Sequence, residues 1–494
     1  MSKQQMHSPD AAWLHMDRPT NLMVVNSVLW FDEPMDLERG REVVRERMVE
    51  RFPRFRQRIV EPRGGVGLPV WEDDPNFDLD RHLHHIALPA PGDTAALQEL
   101  VGDLISTPLD RSKPLWDTYI IDGYGKGMAH VSRMHHSIAD GIALARLLFE
   151  MTDERPDAGI SPPADQEPAR GRLGPVRRPL AAGAHVVGAA MHEGFEVLAH
   201  PRSELGDLAG TTAEDARALA KLLLASPEHK SVLRGQLGAR QKVVWTDGIP
   251  LDEVKEIGRA TGTTVNDVLV AAITGALRRY LIDRHSLVDE VRAMVPFNLR
   301  PLDQPLPREL GNRFGLVYLQ LPVGIRGPRQ RLDEIHRRMD SIKNSPEGAV
   351  SYGILGLIGL TPPQIERRLV DMFASKSTLV LTNVPGPSQP VYFAGTRVAG
   401  VIPWVPAGGS IGLGVSIFSY DGRVTLGIRV DAGIIPEPAA IIEAFQSALD
   451  EMARLGSRSR ARTGSPAPAT RGERKSARAD KQGSRTRTPA AAGT

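Results

Sequence analysis

His135-His136-Ser137-Ile138-Ala139-Asp140-Gly141 places two imidazoles, three spacers and an Asp-Gly pair within seven residues. Upstream, residues 127–134 read as a short strand. Downstream, residues 141–151 carry Leu144, Leu147, Leu148 and Met151 at helical spacing. The seven residues therefore form a strand-to-helix turn, where loops present chemistry from a rigid frame. Successive strand side chains face opposite ways, so only one of the two histidines can face a given cavity.

Imidazole titrates near neutrality and can accept and return a proton. A hydroxyl attacking an acyl carbonyl needs such a base, and His136 is the candidate. His135 shapes the turn, Asp140 holds it by an ion pair or orients the ring, and Gly141 permits close backbone approach. A histidine pair satisfied within a core, beside a plain turn, is the competing reading. A metal site is a weaker one, because zinc ligands are usually at helical or C-x-x-C spacing and the chain has no cysteine.

The motif His135-His136-x-x-x-Asp140-Gly141 resembles the signature of acyl-CoA-dependent acyltransferases and peptide-synthetase condensation domains. Pro114-Leu115-Trp116, Asn266-Asp267 and Ser8-Pro9-Asp10-Ala11 narrow the likeness to the bacterial wax ester synthase/diacylglycerol acyltransferase family, from the start of the chain to about Gly456. The resemblance implies an α/β fold of two chloramphenicol-acetyltransferase-like lobes with a tunnel at their interface. It implies transfer of a long acyl chain from acyl-CoA, a substrate, to diacylglycerol or a fatty alcohol, with no metal or redox cofactor. It also places Asn266 in the active site, against the thioester or the catalytic histidine. Arg300 becomes the partner of Asp140, testable by exchanging the two charges, and Asn383, Pro385 and Gly386 belong to a loop at the donor entrance. The whole reading requires the His136 ring to meet an opening. Acyl transfer to a polyketide or peptide is one alternative, although no carrier domain with its attachment serine is apparent. A non-catalytic lipid-binding protein is another.

Composition sets the bounds. A chain of 494 residues exceeds one usual domain. The division read from it is an N-terminal lobe over 1–151, a linker with crossover helices over 152–229, a C-terminal lobe over 230–456 and a tail over 457–494. The absence of cysteine excludes disulfides and a thiol nucleophile, and fits a reducing compartment. No apolar start suggests a signal peptide, and no apolar run is long enough to span a bilayer. The expected location is cytoplasmic, with peripheral contact to membrane or lipid inclusions. The tail carries a net +8 of the chain's +2, leaving −6 on the body. Lacking large apolar residues, the tail is expected to be disordered. A solubilising tail with no specific partner is the plainer reading; the tail also has the charge to meet anionic lipid, and nucleic acid would suit the same charge but is not an expected partner. Oligomeric state is not legible.

Along the chain, residues 21–31 read as a strand and Asp36 as the cap of a helix reaching about Arg51. Residues 51–58 alternate cations with other residues, as a solvated edge or a contact for CoA phosphates. His82, His84 and His85 read as surface residues. Asp93 caps a helix ended by Pro108, and residues 117–122 form the next strand. Prolines punctuate the linker, and residues 184–198 carry an apolar stripe that suits the lobe interface or a membrane. In the second half, strands are expected at 241–245, 291–297, 314–321 and 378–382. Helices are expected at 251–260, after Thr264, at 328–343 and at 363–373. A hairpin turns at Asp421-Gly422, and a final helix, 436–455, stops at Gly456.

Overall fold

A computed structural model describes residues 3–62, 67–160, 225–300, 305–343, 345–361 and 363–463. The stripe at 184–198 and most of the linker and tail lie outside these residues.

In the first half the principal elements are α1 (Ser8–Met16), β1 (Val24–Phe31), α2 (Leu37–Val44), β2 (Leu83–Ala87), α3 (Thr94–Ser106), β3 (Trp116–Tyr124), β4 (Gly127–His135) and α4 (Gly141–Glu150). The second half holds β5 (Gln241–Trp245), α5 (Leu251–Thr261), α6 (Val265–Asp283), β6 (Val291–Asn298) and β7 (Phe314–Leu321). After them come α7 (Pro328–Lys343), α8 (Glu347–Ile358), α9 (Pro363–Ala374), β8 (Leu379–Pro385), β9 (Gly400–Trp404), β10 (Leu413–Tyr420), β11 (Arg423–Asp431) and α10 (Ala439–Thr463).

These elements make two α/β lobes. The first is built on a five-stranded sheet of order β9-β1-β4-β3-β2, the second on a sheet of order β7-β6-β8-β10-β11-β5 to which Ile249–Pro250 adds a short strand. A separate three-stranded sheet joins Lys3–Gln5, Val70–Asp73 and Gln57–Val60. Strand β4 is central in its sheet, and all nine of its residues are buried, which fits a run without polar alternation. In the second sheet β8 is central. It pairs in parallel with both β6 and β10, and its first four residues are buried.

The first sheet is not made from the first half alone. Strand β9 pairs antiparallel with β1, setting Ile402 opposite Val28. Trp404 and Ile402 thereby enter the first lobe's core beside Val28 and Leu29. In exchange α3 leans on β5: Ser106 Oγ accepts from Gln241 N at 2.8 Å. A third apolar cluster joins Trp13 and Met16 of α1 to Phe314, Leu355, Ile358 and Val370. It seals the seam between the lobes.

Local chemistry accounts for most element ends. Asp36 and Asp93 cap α2 and α3 by accepting from Arg39 N and Ala96 N. Thr264 and Asp267 form a full capping box for α6. Asp421 and Gly422 turn the β10–β11 hairpin with φ of 46° and 71°, both in the left-handed region such turns need.

Several expectations are corrected. After Val44 the helical path continues as a π-helical turn, Arg45–Val49. His82 is buried, its ring stacked on Trp116 at 4.4 Å and its Nδ1 2.7 Å from Trp116 O. Arg54 is neither on a solvated edge nor free for phosphate: it is buried, bonded to Gln57 and Gln4, and lies over Trp71. The stretch expected to be a loop from Asn383 is still strand through Pro385. The last helix runs past Gly456 to Thr463. One glycine costs only about 1 kcal/mol there, less than a long helix with good formers on both sides can absorb. Helix α8, strand β9 and the small three-stranded sheet were not expected at all.

Candidate active site

The seven-residue turn sits where β4 ends and α4 begins. Asp140 is the N-cap of α4, its Oδ1 accepting from Ala143 N at 2.8 Å. Its other oxygen faces the second lobe, accepting from Arg313 N at 3.0 Å, with Arg300 Nη2 at 3.3 Å. Arg300 Nη2 also reaches Gly311 O at 2.8 Å. Asp140 and Arg300 are both buried, so this is a desolvated pair; further hydrogen bonds to Asp140 and from Arg300 Nη2 support it, while Arg300 Nε has no partner among the described residues. A Cβ on Gly141 would come within 2.9 Å of Val405 Cγ1. The close approach expected at Gly141 is thus made by a side chain from the second half.

His135 has its Nδ1 bound by Ser137, whose backbone N donates to it at 3.1 Å. An accepting Nδ1 carries no proton, so the neutral ring holds its hydrogen on Nε2. That atom lies 3.9 Å from Asp17 Oδ2. Burial pushes His135 down to about 4. Its backbone N donates to Leu115 O at 2.9 Å, which brings Pro114-Leu115-Trp116 against the motif. The Trp116 ring itself is wholly buried and donates to Phe55 O, a packing role.

His136 leaves the strand and turns toward the seam. Its backbone N donates to Met23 O at 2.7 Å. The ring stacks on Trp13, centroids 4.0 Å apart, and lies 5.5 Å from the Phe314 ring. It is 3% exposed. Burial pushes it down to about 4, opposed by the nearby Asp140 carboxylate. At neutral pH the ring is therefore an unprotonated base in an apolar wall. The opening expected above the ring is neither of two cavities that the described residues form. A 640 Å³ cavity is lined by Glu228, His229, Lys230 and Arg292, and a 10 Å³ cavity by Asn21, Val405 and Arg429. Trp13 and Phe314 cover the ring.

Two residues that sequence reasoning gave no catalytic part pack against the motif. Asn312 Nδ2 donates to His136 O at 2.8 Å and to Asp10 Oδ1 at 2.7 Å, and Asn312 N donates to the same Asp10 oxygen at 3.0 Å. Burial lifts the Asp10 carboxyl to about 7, although the Asn312 hydrogen bonds pull the other way. Gly311 N donates to Ile138 O at 3.0 Å, making a parallel bridge with Ala139. Asp10 stood within the Ser8-Pro9-Asp10-Ala11 landmark, and Asn312 beside a glycine before a strand. Those were the only signals either offered.

Asn266 lies elsewhere in the hydrogen-bond map. Its Oδ1 accepts from Asn383 Nδ2 at 2.6 Å, and no described hydrogen bond joins it to His136. Asn266 and Asn383 thus meet, while Pro385 closes β8 and Gly386 N donates to Ser419 O. Among the described residues no group of acidic and histidine side chains has the geometry of a metal site.

Residues 6–269 match a sequence profile described as the wax ester synthase/diacylglycerol acyltransferase catalytic domain, and residues 310–453 match that family's C-terminal domain. The chain belongs to the wax ester synthase/diacylglycerol acyltransferase family. A Mycobacterium tuberculosis protein provisionally named as a diacylglycerol O-acyltransferase is 29% identical over 91% of this chain and 90% of its own length. A Mycobacterium bovis protein with the same provisional name is 30% identical over 82% and 86%. The fold is similar to that of the family enzyme from Marinobacter aquaeolei VT8 (TM-score 0.66, 23% identity, 92% of this chain and 100% of that one). It is also similar to the first condensation domain of the CDA synthetase (TM-score 0.56, 16% identity, 92% and 96%). This family member is accordingly an acyltransferase with the two-lobed condensation-type fold. Among its described residues no helix is long and apolar enough to cross a membrane.

Proposed function

We propose that this chain esterifies diacylglycerol, a long-chain fatty alcohol, or both, with the acyl group of a long-chain acyl-CoA, and that His136 is the general base. The observation that carries the reading is an imidazole kept neutral by burial, within reach of the Asp140 charge and walled by Trp13 and Phe314. An apolar wall suits an acyl chain, and a neutral ring can accept a proton at physiological pH.

In the reaction His136 takes the acceptor hydroxyl's proton as the oxygen attacks the thioester carbonyl. The tetrahedral intermediate collapses, the C–S bond breaks, and the CoA thiolate recovers the proton from His136. The transient imidazolium is favoured by the Asp140 carboxylate, itself fixed by Ala143 N, Arg313 N and Arg300. Because Trp13 and Phe314 cover the ring, binding displaces at least one of them. Asn266 and Asn383, hydrogen-bonded side chain to side chain, are assigned to the donor side in this proposal. Water-insoluble acceptors require the enzyme to work at a lipid surface.

The test is CoA thiol release from palmitoyl-CoA with dioleoylglycerol or hexadecanol, with radiolabelled products resolved by thin-layer chromatography. His136→Ala should keep its thermal transition and lose roughly 10²–10⁴-fold in kcat. Turnover at the wild-type rate in that variant would end the proposal. A labelled product that is neither triacylglycerol nor wax ester would redirect it to another acceptor.

A further inference from the structure

We infer that Asn312, held by Asp10, is the positioning residue that fixes which nitrogen of His136 carries the proton. The inference rests on His136 being the base, and it concerns how that base is aimed. Three observations carry it.

The first is the orientation of the Asn312 amide. Its Nδ2 is within hydrogen-bond distance of two acceptors, Asp10 Oδ1 at 2.7 Å and His136 O at 2.8 Å. Neither can donate unless Asp10 is protonated on that oxygen. That oxygen already accepts from Asn312 N, so the nitrogen and oxygen of the amide cannot be exchanged. Both amide hydrogens are spent, and Oδ1 is left as a free acceptor.

The second is a pair of unmet needs. Asn312 Oδ1 and His136 Nδ1 are both buried and both lack a hydrogen-bond partner. A buried polar atom without a partner costs about 1–3 kcal/mol, and these two belong to residues already joined through the His136 carbonyl. The third is a direction that agrees with these: the Asn312 side chain raises the His136 pKa against the larger effect of burial, as an acceptor for its N–H would.

Asn312 Oδ1 and His136 Nδ1 do not bond each other in this structure; turned to that oxygen, Nδ1–H would meet both needs and leave the lone pair on Nε2, the nitrogen left to meet a hydroxyl. His135 has the opposite tautomer, because Ser137 N occupies its Nδ1. Adjacent histidines in one motif are thereby locked in different proton states. Asp10 acts one step further back. By taking two N–H groups of Asn312 it stops the amide from turning its NH₂ toward the ring. The other acceptor near the ring is the carbonyl of His136 itself, and Asn312 Nδ2 already draws on it.

The experiment uses the full chain labelled with ¹⁵N-histidine, and long-range ¹H–¹⁵N correlations to read each tautomer. The His136 signals are assigned by their loss in His136→Gln. In the wild type they should show Nδ1–H and an unprotonated Nε2. In Asn312→Leu, close in shape but without polar atoms, Nε2–H should appear. In that variant kcat should fall at least about 10-fold, as expected for a misassigned tautomer, with KM within about 3-fold. Asp10→Asn should give a smaller loss in the same direction. An Nε2–H tautomer in the wild type overturns the inference. So does an Asn312→Leu enzyme with unchanged tautomer and kcat, which would assign the task to the ring's own carbonyl. If Asn312→Leu does not fold, the wild-type tautomer and Asp10→Asn decide. Full turnover in His136→Gln would instead remove the general-base reading, whatever the tautomer.

Discussion

His130 and His135 are buried on β4 and His136 just beyond its end, and burial pushes each down to about 4. An unfolded histidine titrates near 6.5. As pH falls from 6.5 toward 4 the unfolded chain gains protons on these three that the folded chain refuses, so stability is lost across that window. Asp10 works the other way: lifted to about 7, it binds a proton in the folded state that the unfolded state lacks above its own pKa. His82, lowered by burial, adds to the loss, while His15, raised by Glu366, and Glu366, raised by burial, subtract from it. The balance is on the order of 2 kcal/mol lost per pH unit between 6 and 5. Urea midpoints taken across that range should fall steeply. In His130→Gln, which keeps a polar side chain that cannot titrate, the slope should be shallower by about one proton; an unchanged slope would mean His130 is not neutral in the fold.

Helix α4 shows why an ion pair cannot be exchanged like a plug and socket. Asp140 accepts from Ala143 N and Arg313 N as well as facing Arg300. An arginine at 140 could accept neither backbone hydrogen. The reversed pair Asp140→Arg with Arg300→Asp should therefore recover little of the folding lost in either single variant. Asp140→Asn, which keeps the cap oxygen, should be milder than Asp140→Ala, where the lost cap and stranded Arg300 cost roughly 3–5 kcal/mol by denaturant titration. Equal losses in the two would discount the cap. The turn was readable because its signals are local: apolar spacing after Gly141, and an aspartate at the helix start. The rest of the site was not. Asn312 meets His136 across 176 residues, and Asp10 meets Asn312 across 302. A lone polar residue carries no periodicity to mark such a meeting. Helix α8 escaped notice for another reason: Gly348, Gly353 and Gly356 weaken any local helical preference, and packing against α1 and β7 stabilises it instead. Strand β9 begins on a glycine and contains Pro403, which weaken a strand signal, and it finds its partner near the chain's beginning.

The exchange of β9 for the support of α3 ties the halves into one folding unit. Residues 1–160 expressed alone lack the edge strand that covers β1, and with it Ile402 and Trp404 from their core. Such a fragment should be protease-sensitive and should gain protection when residues 225–463 are supplied; a stable, two-state fragment would show the strand to be dispensable.

The bridge between Ala139 and Gly311 has a consequence for how lipid gets in. Ile138 and Gly311, His136 and Asn312, Asp140 and Arg313 are stitched rung by rung. Opening the protein like a book would tear His136 from its own backing. On the proposed reaction, acyl chains would instead pass the Trp13 and Phe314 side while these rungs stay shut. A staple between Ser27→Cys and Pro403→Cys, which are opposite each other on β1 and β9, should then leave turnover untouched when oxidised. If closing that staple halts the enzyme, β9 and β1 have to part during turnover, and the halves do separate.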